Sequence, residues 1–357
     1  MSDDVSTDGA EEAHARYVLH VGLPKTGTSF LQSILRKNRA PLGESGVLYP
    51  TFGARGRLLA ALDGRDRHRY AGMEQPAEGH WRRFFDSTRS FDGTVVFSHE
   101  VLGAPLSDAT PTAIAGLDGH EADVLITARD PARQLMSVWQ QGLRFRSPST
   151  FDEFLAGCDL GADGKYRHGH FRDQQLDRVV RAWEKHVPPE RIRVVVVPPQ
   201  GAATTVLWER FCAVLGVDPA LYEIPSQPVL NHSLGVVQAE FLRRVNAAMG
   251  DRVTSADYSV IRKFVVNAVL ARTEPSPKPV LPDHAFERAA AVAERWIDTV
   301  RSGGYDVVGD LSDLRPVRED GPGPDDWTDA AVAQVGVSAG AEVLIAYART
   351  RGGSGDD

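Results

Sequence analysis

Tyr17-Val-Leu-His-Val-Gly22-Leu-Pro-Lys25-Thr-Gly-Thr-Ser-Phe-Leu31 decides how this chain is read. Tyr17 to Val21 is a short apolar run with the length and composition of a buried strand. Gly22, Pro24 and Gly27 then impose a turn. Beyond it the period changes. Phe30, Leu31, Ile34 and Leu35 fall at i, i+1, i+4 and i+5, the spacing of a half-buried helix face. A strand feeding a glycine-rich turn into a helix N-terminus makes an anion cradle, because free backbone N–H groups and the positive end of the helix dipole converge on one spot. Lys25 adds a full charge there, and Thr26, Thr28 and Ser29 add hydroxyl donors around Gly27. The loop is shaped for phosphate or sulfate.

The spacing Gly22-x-x-x-x-Gly27 matches the frame of a Walker A loop, but Thr28-Ser29 stands where Lys-Ser or Lys-Thr would follow. The lysine lies inside the loop, at position 25. Pro24-Lys-Thr-Gly-Thr-Ser29 instead resembles the 5′-phosphosulfate loop of the sulfotransferases that use 3′-phosphoadenosine 5′-phosphosulfate (PAPS), whose loop carries Pro-Lys-(Ser/Thr)-Gly-Thr-(Thr/Ser). The resemblance implies that Lys25, Thr26, Gly27, Thr28 and Ser29 bind the nucleotide, in a fold related to P-loop nucleotide kinases.

A second motif follows about a hundred residues later. Asp123-Val-Leu-Ile-Thr-Ala128 is another apolar strand, and it ends in Arg129-Asp130-Pro131. Pro131 suits the first turn of a helix with Asp130 as its N-cap. Leu135, Trp139 and Leu143 line one face of that helix, and Ser137 turns away from the stripe. An arginine at a strand end and a serine two turns on can clamp one anion. In the same sulfotransferases the 3′-phosphate is held by an arginine at a strand end and a serine eight residues later, the spacing of Arg129 and Ser137.

The chain has 357 residues, 42% hydrophobic and 25% charged, enough for one large α/β domain with helical additions. A net charge of −8 argues against general nucleic-acid binding. Cys158 and Cys212 form neither a disulfide framework nor a zinc spacing, and read as buried small hydrophobes. No metal is expected. The first fifteen residues read as an acidic, disordered N-terminus unlike a signal peptide. No uninterrupted run of 18 apolar residues occurs, so no membrane span is expected, and the reading favours the cytoplasm.

Further strands are expected at Thr94–Ser98 and Arg191–Val197, alternating with helices over 174–186 and 204–215; this pattern predicts a parallel sheet flanked by helices. After Asn231 the periodicity is helical, with stripes at Val237/Phe241/Val245/Met249, Ile261/Phe264/Val265/Val269 and Phe286 to Val300. Proline-rich breaks fall at 273–282 and 321–326, and a last helix over 329–348 docks on the body or forms a homo-oligomer contact. The resemblance covers residues 16–315, with the helical part at about 232–302; 316–357 reads as linker, helix and tail. One departure stands out. The Arg-Lys-Gly-x-x-Gly-x-x-Lys segment that closes the nucleotide site in cytosolic sulfotransferases has no counterpart here.

Sulfuryl transfer needs an in-line attack and charge neutralisation on the leaving group. Lys25 is the candidate for the second task. A base must take the proton of the acceptor hydroxyl or amine, and the strand at 94–98 ends in His99-Glu100 beside the crevice. The relatives use histidine or glutamate at this step; bacterial ones often show Ser-Glu here, which favours Glu100. His20, inside the first strand, reads as structural, and Phe30 as packing. Arg55, Arg57, Arg65, Arg67, His68 and Arg69 form a basic cluster that reads as solvated surface, with an anionic acceptor as the alternative. Tyr166, Arg167, His168 and His170 are candidates for the acceptor pocket, and Asn231-His-Ser233 for the start of a helical lid. The acceptor class left open is a carbohydrate or another small molecule. Two other functions remain: a P-loop kinase or hydrolase using Lys25 and Glu100, and a non-catalytic nucleotide-binding relative.

Overall fold

The computed structural model describes residues 15–53, 55–66, 77–103, 112–158, 171–226 and 233–352. The expectation for the N-terminal arm, apart from Ala15, therefore lies outside the described residues. Six parallel strands form one sheet: β1 (Arg16–Gly22), β2 (Val47–Leu48), β3 (Thr94–Ser98), β4 (Ala122–Ala128), β5 (Ile192–Val196) and β6 (Asp306–Val308). Their order is β2-β3-β1-β4-β5-β6. The four strands legible in the sequence are the four central ones. The edge strands β2 and β6 have two and three residues, too few for any periodicity to show.

The central strands are apolar almost throughout because helices cover both faces. Tyr17, Leu19 and Val21 of β1 point to one side and share a core with Val95, Phe97, Val124 and Ile126. That core is closed by Leu135, Trp139 and Leu143 of the Pro131–Arg144 helix, and by Trp183 and Trp296 of the Leu176–Trp183 and Asp283–Ser302 helices. Val18, Val96, Leu125 and Val195 face the opposite side. There they meet Leu31, Ile34 and Leu35 of the Thr28–Lys37 helix and Trp208 and Phe211 of the Thr205–Leu215 helix. Each such side chain, fully buried, contributes roughly 1.5–3 kcal/mol.

From β1 the chain crosses to one edge of the sheet, and from β4 it runs toward the other. Neighbouring strands whose connections leave in opposite directions open a crevice beyond their C-terminal ends. The Lys25 loop follows β1 and Arg129 follows β4, so both border that crevice.

The helices expected after residue 231 are present. Val236–Met249 docks on Pro131–Arg144 through Asn246 Nδ2, which donates to the Leu143 carbonyl at 2.7 Å. Gln140 and Leu234 exchange two hydrogen bonds at 2.9 and 3.0 Å. Ser255–Ile261 continues into a π-helical stretch, Arg262–Val269. The last helix, Asp329–Gly352, buries Val332, Val335 and Ala339. Arg244–Asp329 and Arg272–Glu342 ion pairs of 2.7 and 2.8 Å tie it to the body. By length and composition this helix could cross a membrane, with a mean hydropathy of 1.4 over an 18-residue window within Asp329–Arg349. Gln334, Ser338 and Glu342 interrupt its apolar residues, so it contains no unbroken apolar run.

Candidate active site

The loop after β1 is held open by backbone geometry. Gly22 and Gly27 take φ of 110° and 89°, a region that glycine enters without a Cβ penalty. At Gly27 a Cβ would stand 2.5 Å from Leu207 Cδ2, so a larger residue would have to displace that side chain as well as adopt a positive φ. Lys25 adopts φ 68° although it carries a side chain. Such strain in a non-glycine residue persists where the surroundings over-determine it, and it clusters at functional sites. No side chain caps the Thr28–Lys37 helix, so its first N–H groups remain available to a ligand.

The loop's hydroxyls divide into two sets. Thr26 is fully buried, and its Oγ1 donates to the Leu23 carbonyl at 2.5 Å. It also lies 2.5 Å from Thr127 Oγ1, so this side chain braces the loop from inside instead of reaching outward. Thr28 Oγ1 donates to Glu100 Oε2 at 2.7 Å, and Ser29 is exposed. Gln134, fully buried on the Pro131–Arg144 helix, donates through Nε2 to the Pro24 carbonyl at 3.1 Å. Nothing in the chain-order pattern singled out Gln134, because a glutamine on an apolar helix face has no signature until its partner is known.

Beneath the loop sits His20, completely buried and edge-on to Phe211 at 5.4 Å. Its Nδ1 is 2.8 Å from Ser98 Oγ and its Nε2 3.2 Å from Thr127 Oγ1. Gln32 Nε2 joins the network at Ser98 Oγ, 3.1 Å away. Burial drives the His20 pKa down to about 3, so the ring is neutral and structural, as its place in β1 suggests. The sign for stability follows. Above pH 6.5 neither the folded nor the unfolded histidine is protonated and stability is complete; below it only the unfolded chain takes up the proton, and stability falls until the pH approaches the folded pKa. His99 behaves alike, with its pKa lowered to about 4. Unfolding free energies from urea titrations are expected to drop by about 1 kcal/mol per pH unit between pH 7 and pH 5 for each histidine. His20→Gln is expected to be less stable at pH 7 and to show a shallower slope; an unchanged slope would remove His20 from this account.

Glu100 packs against the loop, its Cβ 3.3 Å from where a Cβ on Gly22 would stand, and its charge is felt at Lys25. Burial lowers the Lys25 pKa, the charges of Arg144 and Arg129 lower it further, and Glu100 opposes them. Arg144, at the last turn of its helix, is thus a third cation that bears on the loop; it lies fifteen residues beyond Arg129 and matches no motif spacing. Glu100 Oε1 has no hydrogen-bond partner among the described residues. His99 is held differently. The Val101 N–H donates to His99 Nδ1 at 3.1 Å, and burial, followed by the charge of Arg57, depresses its pKa. A neutral imidazole that accepts at Nδ1 carries its proton on Nε2. His99 therefore presents a donor, whereas Glu100 presents an acceptor.

Arg129 and Ser137 meet: Arg129 Nη2 donates to Ser137 Oγ at 2.9 Å and to the Arg133 carbonyl at 2.8 Å. Asp130 caps the helix as expected, accepting from the Arg133 N–H at 2.9 Å. Burial pulls the Arg129 pKa down to about 10, with Asp130 opposing and Arg133 adding to the shift; the guanidinium stays charged at neutral pH. Among the described residues its buried Nε has no hydrogen-bond partner. The pair opens on a cavity of about 440 Å³. Across it stand Lys278, from the proline-rich connection, and Arg315, which is occupied by Glu294 at 2.6 Å.

Other sequence readings fare differently. Arg65 is buried and donates to the Val101 carbonyl at 2.5 Å, so it is a structural arginine and not solvated surface. Arg55 is exposed, and Phe30 is half-buried against the core under its helix. Arg67, His68, Arg69, Tyr166, Arg167, His168, His170, Asn231 and His232 lie outside the described residues. Both cysteines are buried, and burial pushes each thiol up to about 12. Among the described residues no three His, Cys, Asp or Glu side chains cluster to hold a metal ion. Comparison with family models, curated proteins and solved structures finds no match, so the resemblance rests on the residues themselves.

Proposed function

We propose that this chain is a PAPS-dependent sulfotransferase, with a P-loop-related arrangement in which β1 and β4 carry the nucleotide. The observation that supports it most is the pairing of two anion holders at neighbouring strand ends: the Lys25 loop after β1, and Arg129 in contact with Ser137 after β4. A nucleotide with phosphate groups at both its 3′ and 5′ positions asks for two such holders a nucleoside apart. Lys25, the open N–H groups after Gly27, Thr28 and Ser29 would take the 5′-phosphosulfate; Arg129 and Ser137 would take the 3′-phosphate. Thr26 supports the loop from within.

PAPS supplies an activated sulfuryl group. The chain's part is positional and electrostatic. Lys25 neutralises charge growing on the leaving phosphate. Glu100 accepts the proton of the acceptor hydroxyl or amine, while Thr28 holds the other carboxyl oxygen. His99 donates toward the acceptor through Nε2.

The test is calorimetric binding of adenosine 3′,5′-bisphosphate, with ADP and ATP beside it, with and without magnesium. Preference for the 3′,5′-bisphosphate supports the reading. Equal or better binding of ATP, above all with magnesium, overturns it in favour of a kinase, and no binding of any of the three points to a non-catalytic relative. Arg129→Ala is expected to weaken binding of the bisphosphate about 10- to 100-fold, the loss of charge-assisted hydrogen bonds worth roughly 1.5–3 kcal/mol, and to leave adenosine 5′-monophosphate nearly unaffected. Unchanged affinity would take Arg129 out of the site.

A further inference from the structure

Four neighbouring strands lead into segments of different chemistry; three of them end at the crevice, while β2, paired through Leu48 with Val95, ends lower on the sheet. β4 ends at Arg129, β1 at the Lys25 loop, β3 at His99 and Glu100, and β2 runs into Tyr49. The first three are used by the proposed reaction; the fourth is not.

Tyr49 is surrounded by cations. The Arg57 guanidinium lies over its ring, 4.4 Å from the centroid, and that of Arg39 is 5.5 Å away. Arg36, on the last turn of the Thr28–Lys37 helix, is the third. Among the described residues Arg39 and Arg57 donate only to backbone carbonyls, of Tyr49 at 3.2 Å and of Pro50 at 3.1 Å. Among the described residues no carboxylate pairs with Arg36, Arg39 or Arg57, although ion pairs occupy many of this chain's other arginines. The three arginines repel one another, and burial adds to the cost at Arg57. Tyr49 is 2% exposed, yet among the described residues its hydroxyl has no hydrogen-bond partner. A concentration of guanidinium groups without a carboxylate partner is unfavourable unless something anionic neutralises it, and the buried Tyr49 ring holds the Arg57 guanidinium in place. Guanidinium forks match the geometry of carboxylate and sulfate oxygens.

We propose that Arg36, Arg39, Arg57 and Tyr49 form the acceptor-binding end of the site and select an acceptor that carries its own carboxylate or sulfate group. The position supports this. β2 is hydrogen-bonded to β3, whose end bears Glu100, and the Arg57 charge is felt at His99. An acceptor held here by its anion lies on the side of Glu100 away from Arg129. The sheet edge then runs in order from nucleotide phosphate through leaving group and base to acceptor anion. The negative net charge of the whole chain does not oppose this, since the attraction is local and desolvated. The inference rests on the proposed sulfotransferase function for the role of the ligand, but the anion site itself can be probed separately.

The experiment is calorimetric titration of a chondroitin hexasaccharide and of its carboxyl-reduced, neutral form, both with the protein saturated by adenosine 3′,5′-bisphosphate. The anionic oligosaccharide is expected to bind at least tenfold more tightly. Arg57→Ala is expected to remove most of that preference, and Arg36→Ala, an exposed position that holds no part of the fold, to reduce it severalfold. Nucleotide affinity stays the same in both variants, which also certifies that they are folded. A sulfated chondroitin compared with the unsulfated one distinguishes a sulfate from a carboxylate preference. Equal binding of the anionic and neutral forms, no binding of the anionic form, or a preference that survives both substitutions overturns the proposal. Failure of adenosine 3′,5′-bisphosphate to bind at all is a different result: it removes the sulfotransferase reading and leaves the anion preference to be read in the nucleotide-free protein.

Discussion

Lys25→Ala is expected to lower the release of adenosine 3′,5′-bisphosphate from PAPS about a thousandfold while leaving the melting temperature within a few degrees of the parent protein. The size follows from the role: removing one preorganised charge aimed at a developing anion typically costs about 3–4 kcal/mol of transition-state stabilisation. The site amplifies it, because Lys25 works in a partly desolvated crevice where water screens little. The fold is expected to survive because alanine inherits the φ of 68° that lysine already adopts, and because one cation less relieves the repulsion from Arg129 and Arg144. Lys25→Arg is expected to recover little, since a planar fork on a longer stem does not reproduce a compact ammonium at this position. Turnover within threefold of the parent in Lys25→Ala would show that the reaction centre lies elsewhere.

Glu100→Gln is expected to reduce kcat by about two to four orders of magnitude with little change in nucleotide affinity, the range for loss of a positioned general base. The amide keeps the size of the side chain, and its oxygen can still accept the 2.7 Å hydrogen bond from Thr28, so the loop stays in place. His99→Gln is the matched control. Glutamine can cap the Val101 N–H in place of Nδ1, and a loss of less than about tenfold is expected, because His99 offers a proton and does not take one. The reverse ranking, with His99→Gln the more damaging, would transfer the base to histidine and require the other tautomer. Rate against pH separates the cases further: a His99 base would give a limb displaced far below pH 6.5, since burial holds that ring neutral to about pH 4.

Much of the scaffold was legible before any coordinates. Periods of 2 and 3.6 are short-range properties, and they are strong in the apolar segments that became β1, β3, β4 and β5 and the helices between them. The change of period at Gly22–Gly27 marked the loop because glycine is needed where φ is positive, and both glycines use it. The Arg129–Ser137 contact was also within reach of the sequence, since Ser137 lies only about 9 Å along the helix, a distance that a long arginine side chain can span. The two-residue β2 carried no such signal, and it is the strand that leads into Tyr49.

The amino-acid sequence by itself determined the strand–loop–helix units and the chemical character of each strand end, because helix and strand periodicity, capping and turn geometry are settled by neighbours a few residues apart. Tertiary structure alone decided what those ends do together. It turned Thr26 inward and Thr28 toward Glu100, buried Arg65, brought Arg144 to bear on Lys25, and set Arg57 over the Tyr49 ring beside Arg36 and Arg39. Those arrangements depend on strand order and on which helix covers which face, and therefore on burial and charge between residues that are distant in the chain and share no period.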